Sequence, residues 1–219
     1  MGNTTTTAVA LYWIPLGAGD SCVRFNGRVY EALVAARERR PRCSLYHSAL
    51  VIDVDEERYT VEIAPSPDAD ETSRGVVGTG AVGSRHLGRL RLFRYEVRCW
   101  RGGSIPDLAY AVAGPHLVST DARAARRLVG LVRAVPRPVW GRDELHAGEM
   151  WNSNSMIAWL IATAGLPTEL LRAPPHGRAP GWDAGLQVAR HSQRARRPIA
   201  GPTPNAPATT VVPMPAPRA

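Results

Sequence analysis

The chain has 219 residues, of which 44% are apolar, with a formal charge of +8. That length fits one domain with a real hydrophobic core and room for an appendage. All 27 basic residues are arginine, and the charge is uneven. Residues 190–219 hold five arginines and no acid, so residues 1–189 carry 22 arginines against 19 acids. The basic tail lacks the interleaved aromatics of a nucleic-acid binder, so nucleic acid is not an expected partner. Cys22, Cys43 and Cys99 are odd in number and form no C-x-x-C, which argues against a disulfide framework or zinc ribbon. No metal or cofactor is expected. No apolar run reaches a membrane span and no signal peptide is recognisable, so a cytoplasmic location is expected.

In chain order, residues 8–14 read as a short apolar strand ended by Pro15 and a Gly17-Ala18-Gly19 turn. Residues 29–39 read as a helix with Val29, Leu33 and Ala36 as its stripe, stopped by Pro41. Residues 45–52 and 59–64 are β-rich runs joined by an acidic turn around Asp55-Glu56-Glu57, hence a hairpin. Residues 65–88, rich in Pro, Gly and Asp, are expected to form a long loop, including the glycines between Gly75 and Gly83. Residues 90–100 alternate, with Phe93, Tyr95, Val97 and Cys99 on one face and Arg94, Glu96 and Arg98 on the other, as in a half-buried antiparallel strand.

A short helix is expected over residues 106–112 and a stronger one over 121–135, capped by Thr120 or Asp121 and ended by Pro136 and Pro138. Residues 154–164 form a helix with almost no polar side, ended by Gly165 and Pro167, so it should be central and buried. Residues 193–219 hold seven of the 19 prolines and no aromatics, and are expected to be a disordered tail after a domain of residues 1–192.

Two segments carry the chemistry. Tyr46-His47-Ser48-Ala49 opens a strand, and His47 shares a strand face with Leu45, Ala49 and Val51. Trp151-Asn152-Ser153-Asn154-Ser155 opens the buried helix. Asn and Ser are the residues that satisfy free N–H groups at a helix start, and a cap needs only one of them. A nucleophile there would also sit in the positive field of the helix dipole. A serine hydroxyl is too weakly acidic for that field alone and would need a base such as His47.

Asn152-Ser153-Asn154-Ser155-Met156-Ile157 resembles the Asn-Cys-x-x-Phe-x start of the nucleophile helix in the circularly permuted branch of the NlpC-like, papain-fold superfamily. Tyr46-His47-Ser48-Ala49-Leu50 resembles that group's histidine strand, which also precedes the nucleophile helix. The resemblance spans roughly residues 8–170 and suggests an uncharacterised bacterial subfamily with Asn-Ser-Asn-Ser in place of the cysteine motif. It implies an α+β, circularly permuted papain-like fold, with an antiparallel sheet packed on a central nucleophile-position helix. It places His47 as base and Ser153 where the nucleophilic cysteine stands, with Asn152, Asn154 and Ser155 in the helix-cap or oxyanion region.

Glu62 is the candidate to orient His47, and register decides it. A turn centred on Val54-Asp55 puts Glu62 opposite His47; one centred on Glu56-Glu57 displaces it by about four residues, on the order of 13 Å. Cys43 reads as a small apolar residue at the strand entrance. Trp140 and Trp182 either rim a pocket or anchor loops.

Serine at a cysteine position removes the pre-ionised thiolate–imidazolium pair. The leading expectation is therefore a catalytically degenerate scaffold binding a small-molecule or peptide ligand with an amide or acyl group. The alternatives are an active hydrolase or acyltransferase using Ser153 and His47, and an interaction module whose Arg-Pro tail recruits a protein partner.

Overall fold

A computed structural model describes residues 6–18, 21–65 and 75–196. Among the described residues, seven strands and four α-helices make a mixed α and β architecture. The strands are β1 (Ala8–Pro15), β2 (Ser44–Val54), β3 (Glu57–Pro65), β4 (Val76–Ala81), β5 (Arg94–Arg101), β6 (Val112–Ser119) and the short β7 (Gly177–Arg178). The helices are α1 (Ser21–Glu38), α2 (Ala122–Leu131), α3 (Ser153–Thr163) and α4 (Trp182–Arg196). The sheet order is β4-β5-β3-β2-β1-β6, antiparallel throughout, and β7 joins β2 by a brief parallel pairing.

The β2–β3 hairpin closes through a two-residue turn in which Asp55 and Glu56 both have positive φ, 54° and 64°. Such a turn matches the twist of the flanking strands. Val54 pairs with Glu57, so the turn is centred on Asp55-Glu56, between the two registers the sequence allowed. Arg126 of α2 grips the Asp55 carboxylate with two hydrogen bonds of 2.8 and 2.6 Å and holds the turn against the helix layer.

One face of the sheet is dry. Val9, Leu11 and Trp13 of β1, Leu50, Ile52 and Val54 of β2, Val61 and Ile63 of β3, and Tyr95 and Val97 of β5 meet Ala125 and Leu128 of α2, Met156, Ile157, Leu160 and Ile161 of α3, and Val188 and Ala189 of α4. The pleat sends alternate side chains to the other face. There Ile14 and Ala49 form a smaller cluster with Ile105.

Several expectations need correction. Helix α1 begins at Ser21, not residue 29, and its proposed stripe faces outward: Val29 is 43% and Leu33 68% exposed, while Glu31 and Ala35 are the buried pair. The segment expected as a loop over 65–88 contains β4, which pairs with β5 from Val76 to Ala81. Strand β5 starts at Arg94, after 3-10 turns at Leu87–Arg89 and Arg91–Phe93. Both faces of β5 are buried, because Glu96 and Arg98 are covered on the second side.

Strand β6 and helix α4 went unforeseen. β6 contains Gly114 and Pro115 and bulges at Ala113 and Gly114, as an edge strand tolerates. α4 carries Gly185 in its interior, which weakens it as an isolated helix. A Cβ at Gly185 would lie 2.0 Å from the Ser155 carbonyl oxygen, so glycine is what lets α4 approach α3. α4 also takes residues 193–196 from the expected tail; residues 197–219 lie outside the described residues.

Candidate functional site

The start of α3 is a knot of hydrogen bonds. Asn152 is the N-cap, and its side chain accepts from Asn154 N at 2.9 Å and Ser155 N at 3.3 Å. The Ser155 hydroxyl accepts from Asn152 N at 3.2 Å, completing a reciprocal capping box, and donates to Met150 O at 3.1 Å. Asn152 Nδ2 also donates to Pro180 O at 2.9 Å. Asn154 Nδ2 donates to Pro180 O at 2.9 Å and to Tyr46 O of β2 at 3.0 Å. Three of the four polar residues therefore seal the helix start, and two of them bolt it to the segment that leads into α4.

The fit is tight. A Cβ at Gly181 would come within 2.5 Å of Ser155 Oγ and 2.7 Å of Asn152 Oδ1, and φ at Gly181 is 84°. Ser153 is buried too, and its hydroxyl has no hydrogen-bond partner among the described residues.

His47 belongs to the other face of the sheet. It pairs directly with Ile14, and Ile14 packs with Ala49 and Ile105 away from the helices. Its neighbour Ser48 pairs with Trp13, whose ring packs against Trp182 of α4 in a tilted pair with centroids 4.9 Å apart. The β1–β2 register runs unbroken from Ala8–Asp53 to Pro15–Tyr46, so no bulge turns the imidazole back. The helix start thus touches the backbone of Tyr46 while the adjacent imidazole leaves through the opposite side. Burial lowers the His47 pKa to about 4, so the ring is neutral near pH 7.

Glu62 shares the His47 face, since Val61 and Ile63 occupy the helix side of β3. Pairing between β2 and β3 ends at Leu50–Val61, however, before either residue is reached. Glu62 is buried, and its partner is Arg98 of β5 at 3.4 Å; the same guanidinium holds the buried Glu96 at 2.8 Å. Burial raises the Glu62 pKa against the opposing pull of Arg98. The structure thus brings Asn152, Ser153, Asn154 and Ser155 together, leaves His47 across the sheet from them, and commits Glu62 to an arginine.

Trp182 and Trp140 serve as anchors, Trp182 on Trp13 and Trp140 on Tyr95, with ring centroids 5.5 Å apart in the second pair. Among the described residues, no three His, Cys, Asp or Glu side chains gather as around a metal ion, and no helix is long and apolar enough to cross a membrane.

A concavity of about 1080 Å³ opens beneath α1 at the ends of β1 and β2. Pro15, Leu16 and Leu45 give it an apolar floor, with Tyr110, Arg28 and Arg42 also lining it. Cys43 and Glu31 form one wall, and Cys43 is more than a small apolar residue. Glu31 accepts from Arg40 Nη1 at 2.5 Å, from Cys43 N at 2.9 Å and from the Cys43 thiol at 3.3 Å. The Arg40 hydrogen bond above all lowers the Glu31 pKa to about 2. Burial and the Glu31 carboxylate raise the Cys43 pKa, so the thiol stays protonated and is a poor nucleophile. Sequence reasoning missed this groove; the run Arg40-Pro41-Arg42-Cys43 before a strand was its only trace.

No family model matches the chain, and no significant match is found among curated proteins or solved structures.

Proposed function

We propose that this chain is a catalytically silent, circularly permuted papain-like protein that binds an amide- or acyl-bearing ligand. One observation carries the reading. The helix start that would hold a nucleophile is used for capping and tethering by Asn152, Asn154 and Ser155, and the imidazole of His47 lies on the far side of the sheet. Ser153 then has neither a base to ionise it nor a thiol's acidity, and a helix dipole does not ionise a hydroxyl by itself. The order of elements supports the scaffold: a histidine strand precedes a buried helix that packs on an antiparallel sheet.

The ligand site is the groove beneath α1. Pro15, Leu16, Leu45 and Tyr110 suit an acyl chain or amide backbone. Arg28 and Arg42 have no ion-pair partner among the described residues and suit an acidic end. Two measurements test the reading. A fluorophosphonate probe should leave the chain unlabelled; labelling that disappears in Ser153→Ala would replace the proposal with a serine hydrolase or acyltransferase. A dansylated fatty acid should bind, and Arg42→Ala should weaken it about tenfold, the value of one charge-assisted contact. Unchanged binding in Arg42→Ala would remove the groove from the proposal.

A further inference from the structure

Across the sheet from that groove, at the β4 edge, the chain carries a second surface with different chemistry. Residues 85–94 read Arg-His-Leu-Gly-Arg-Leu-Arg-Leu-Phe-Arg, with no acid among them. Folded as two 3-10 turns, they present Leu87, Leu90 and Leu92 to solvent, at 40%, 59% and 85% exposure. The segment is fastened in this shape. Arg94 donates to Gly88 O at 2.7 Å and Arg89 O at 3.1 Å, and Arg142 donates to Gly83 O at 2.8 Å.

Beside the leucines lies a groove of about 540 Å³ lined by Arg85, Arg89, Arg94 and Arg137, with Thr79 on its β4 wall. Its single carboxylate, Glu144, is already engaged by Arg85 at 2.9 and 3.2 Å and by Val139 N at 2.9 Å. Arg89 and Arg137 have no ion-pair partner among the described residues. Gly78 makes room for Arg137, since a Cβ there would come within 2.5 Å of its guanidinium.

We propose that this surface docks on anionic phospholipid membranes, with the arginine groove taking headgroup phosphates and Leu87, Leu90 and Leu92 entering the acyl boundary. Fixed leucines beside unpaired arginines match the two-part chemistry of an interfacial anchor, in which apolar burial adds to attraction for anionic headgroups. A nucleic acid would use the arginines and leave the leucines in water, and the groove offers no exposed aromatic ring on which bases could stack. The surface is separate from the groove beneath α1 and needs no activity there.

The test is co-sedimentation of the full chain with phosphatidylcholine vesicles and with vesicles doped with phosphatidylserine. Binding is expected on the doped vesicles only and should weaken as salt rises. Arg89→Ala with Arg137→Ala should lower partitioning about 25-fold, about fivefold per arginine at the surface. Leu90→Asn with Leu92→Asn should lower it at least about tenfold. Both pairs lie on the surface, and an unchanged thermal melt checks that they fold; Leu92→Ser alone serves if the leucine pair does not. Equal binding to neutral vesicles, or an arginine effect without a leucine effect, overturns the proposal. Binding of inorganic pyrophosphate or of duplex DNA without any vesicle binding also overturns it.

Discussion

The two faces of the sheet behave as different materials. On the helix face, α3 is buried nearly all round and its polar start is locked by hydrogen bonds to the sheet and to the segment before α4. On the opposite face, β3 and β5 bury Glu62, Arg98 and Glu96 as a charged strip, and β2 contributes a neutral His47 beside Ile14 and Ala49. The lesson is that adjacency in space is not adjacency in chemistry. Asn154 reaches the carbonyl of Tyr46, one residue from His47, yet the strand pleat sends the imidazole the other way. Polar groups on the helix face therefore build the fold, while titratable groups on the far face set its response to pH.

The sharpest way to break the contrast is to remove a charge from the far face. Arg98→Ala removes the cation shared by the buried carboxylates of Glu62 and Glu96 and should cost about 3–5 kcal/mol in a urea melt. Arg98→Met together with Glu62→Leu and Glu96→Leu should recover most of that loss, because an apolar strip needs no ion partner.

Acid should then separate two titrations, one at His47 on the far face and one at Glu31 on α1. The His47 pKa is lowered from 6.5 to about 4 in the folded state, so the unfolded chain takes up the proton first. Stability should be full above about pH 6.5 and fall between there and about pH 4, by up to roughly 3 kcal/mol. His47→Phe should flatten that window. Glu31, lowered to about 2, acts below it: its contribution is present above about pH 4.5 and is lost as pH falls toward 2. A pH-dependent melt of both proteins reads the two steps.

On the helix face, Asn154→Ala removes donors to two carbonyls and should cost about 1–3 kcal/mol. Asn154→Asp should cost more than Asn154→Ala, since a carboxylate would face the oxygens of Tyr46 and Pro180 with no proton to give.

The smallest effect is expected at the residue that the papain-like resemblance makes most conspicuous. Ser153→Ala should change stability by no more than about 0.5 kcal/mol, because the hydroxyl makes no hydrogen bond among the described residues. Ser153→Cys, with Cys22, Cys43 and Cys99 replaced, gives a thiol whose iodoacetamide titration is unmoved by His47→Ala. A shift on that substitution would mean that the two side chains communicate across β2 after all.

Much of this was legible in local pattern. The apolar run of residues 154–164 announced a buried helix, alternation over residues 90–100 announced a strand but not its start at Arg94 or its two buried faces, and the hairpin of residues 45–64 was read from its acidic turn. These follow from periodicity, which is a property of neighbouring residues alone. Other features depended on distant partners. β4 is a strand because β5 offers it a ladder, and α4 is a helix because Gly185 lets it nest on α3 despite a weak propensity of its own.

The candidate site divides in the same way. Sequence showed that Asn152 to Ser155 start a helix with more polar groups than a cap requires, and that His47 shares a face with Ala49. Which side of β2 the helix would cover is not written in either segment. It was decided by where Trp13, Leu50 and Ile52 found enough apolar partners to bury, and that choice placed α3, α4 and the Asn-Ser cluster on one side and His47 on the other.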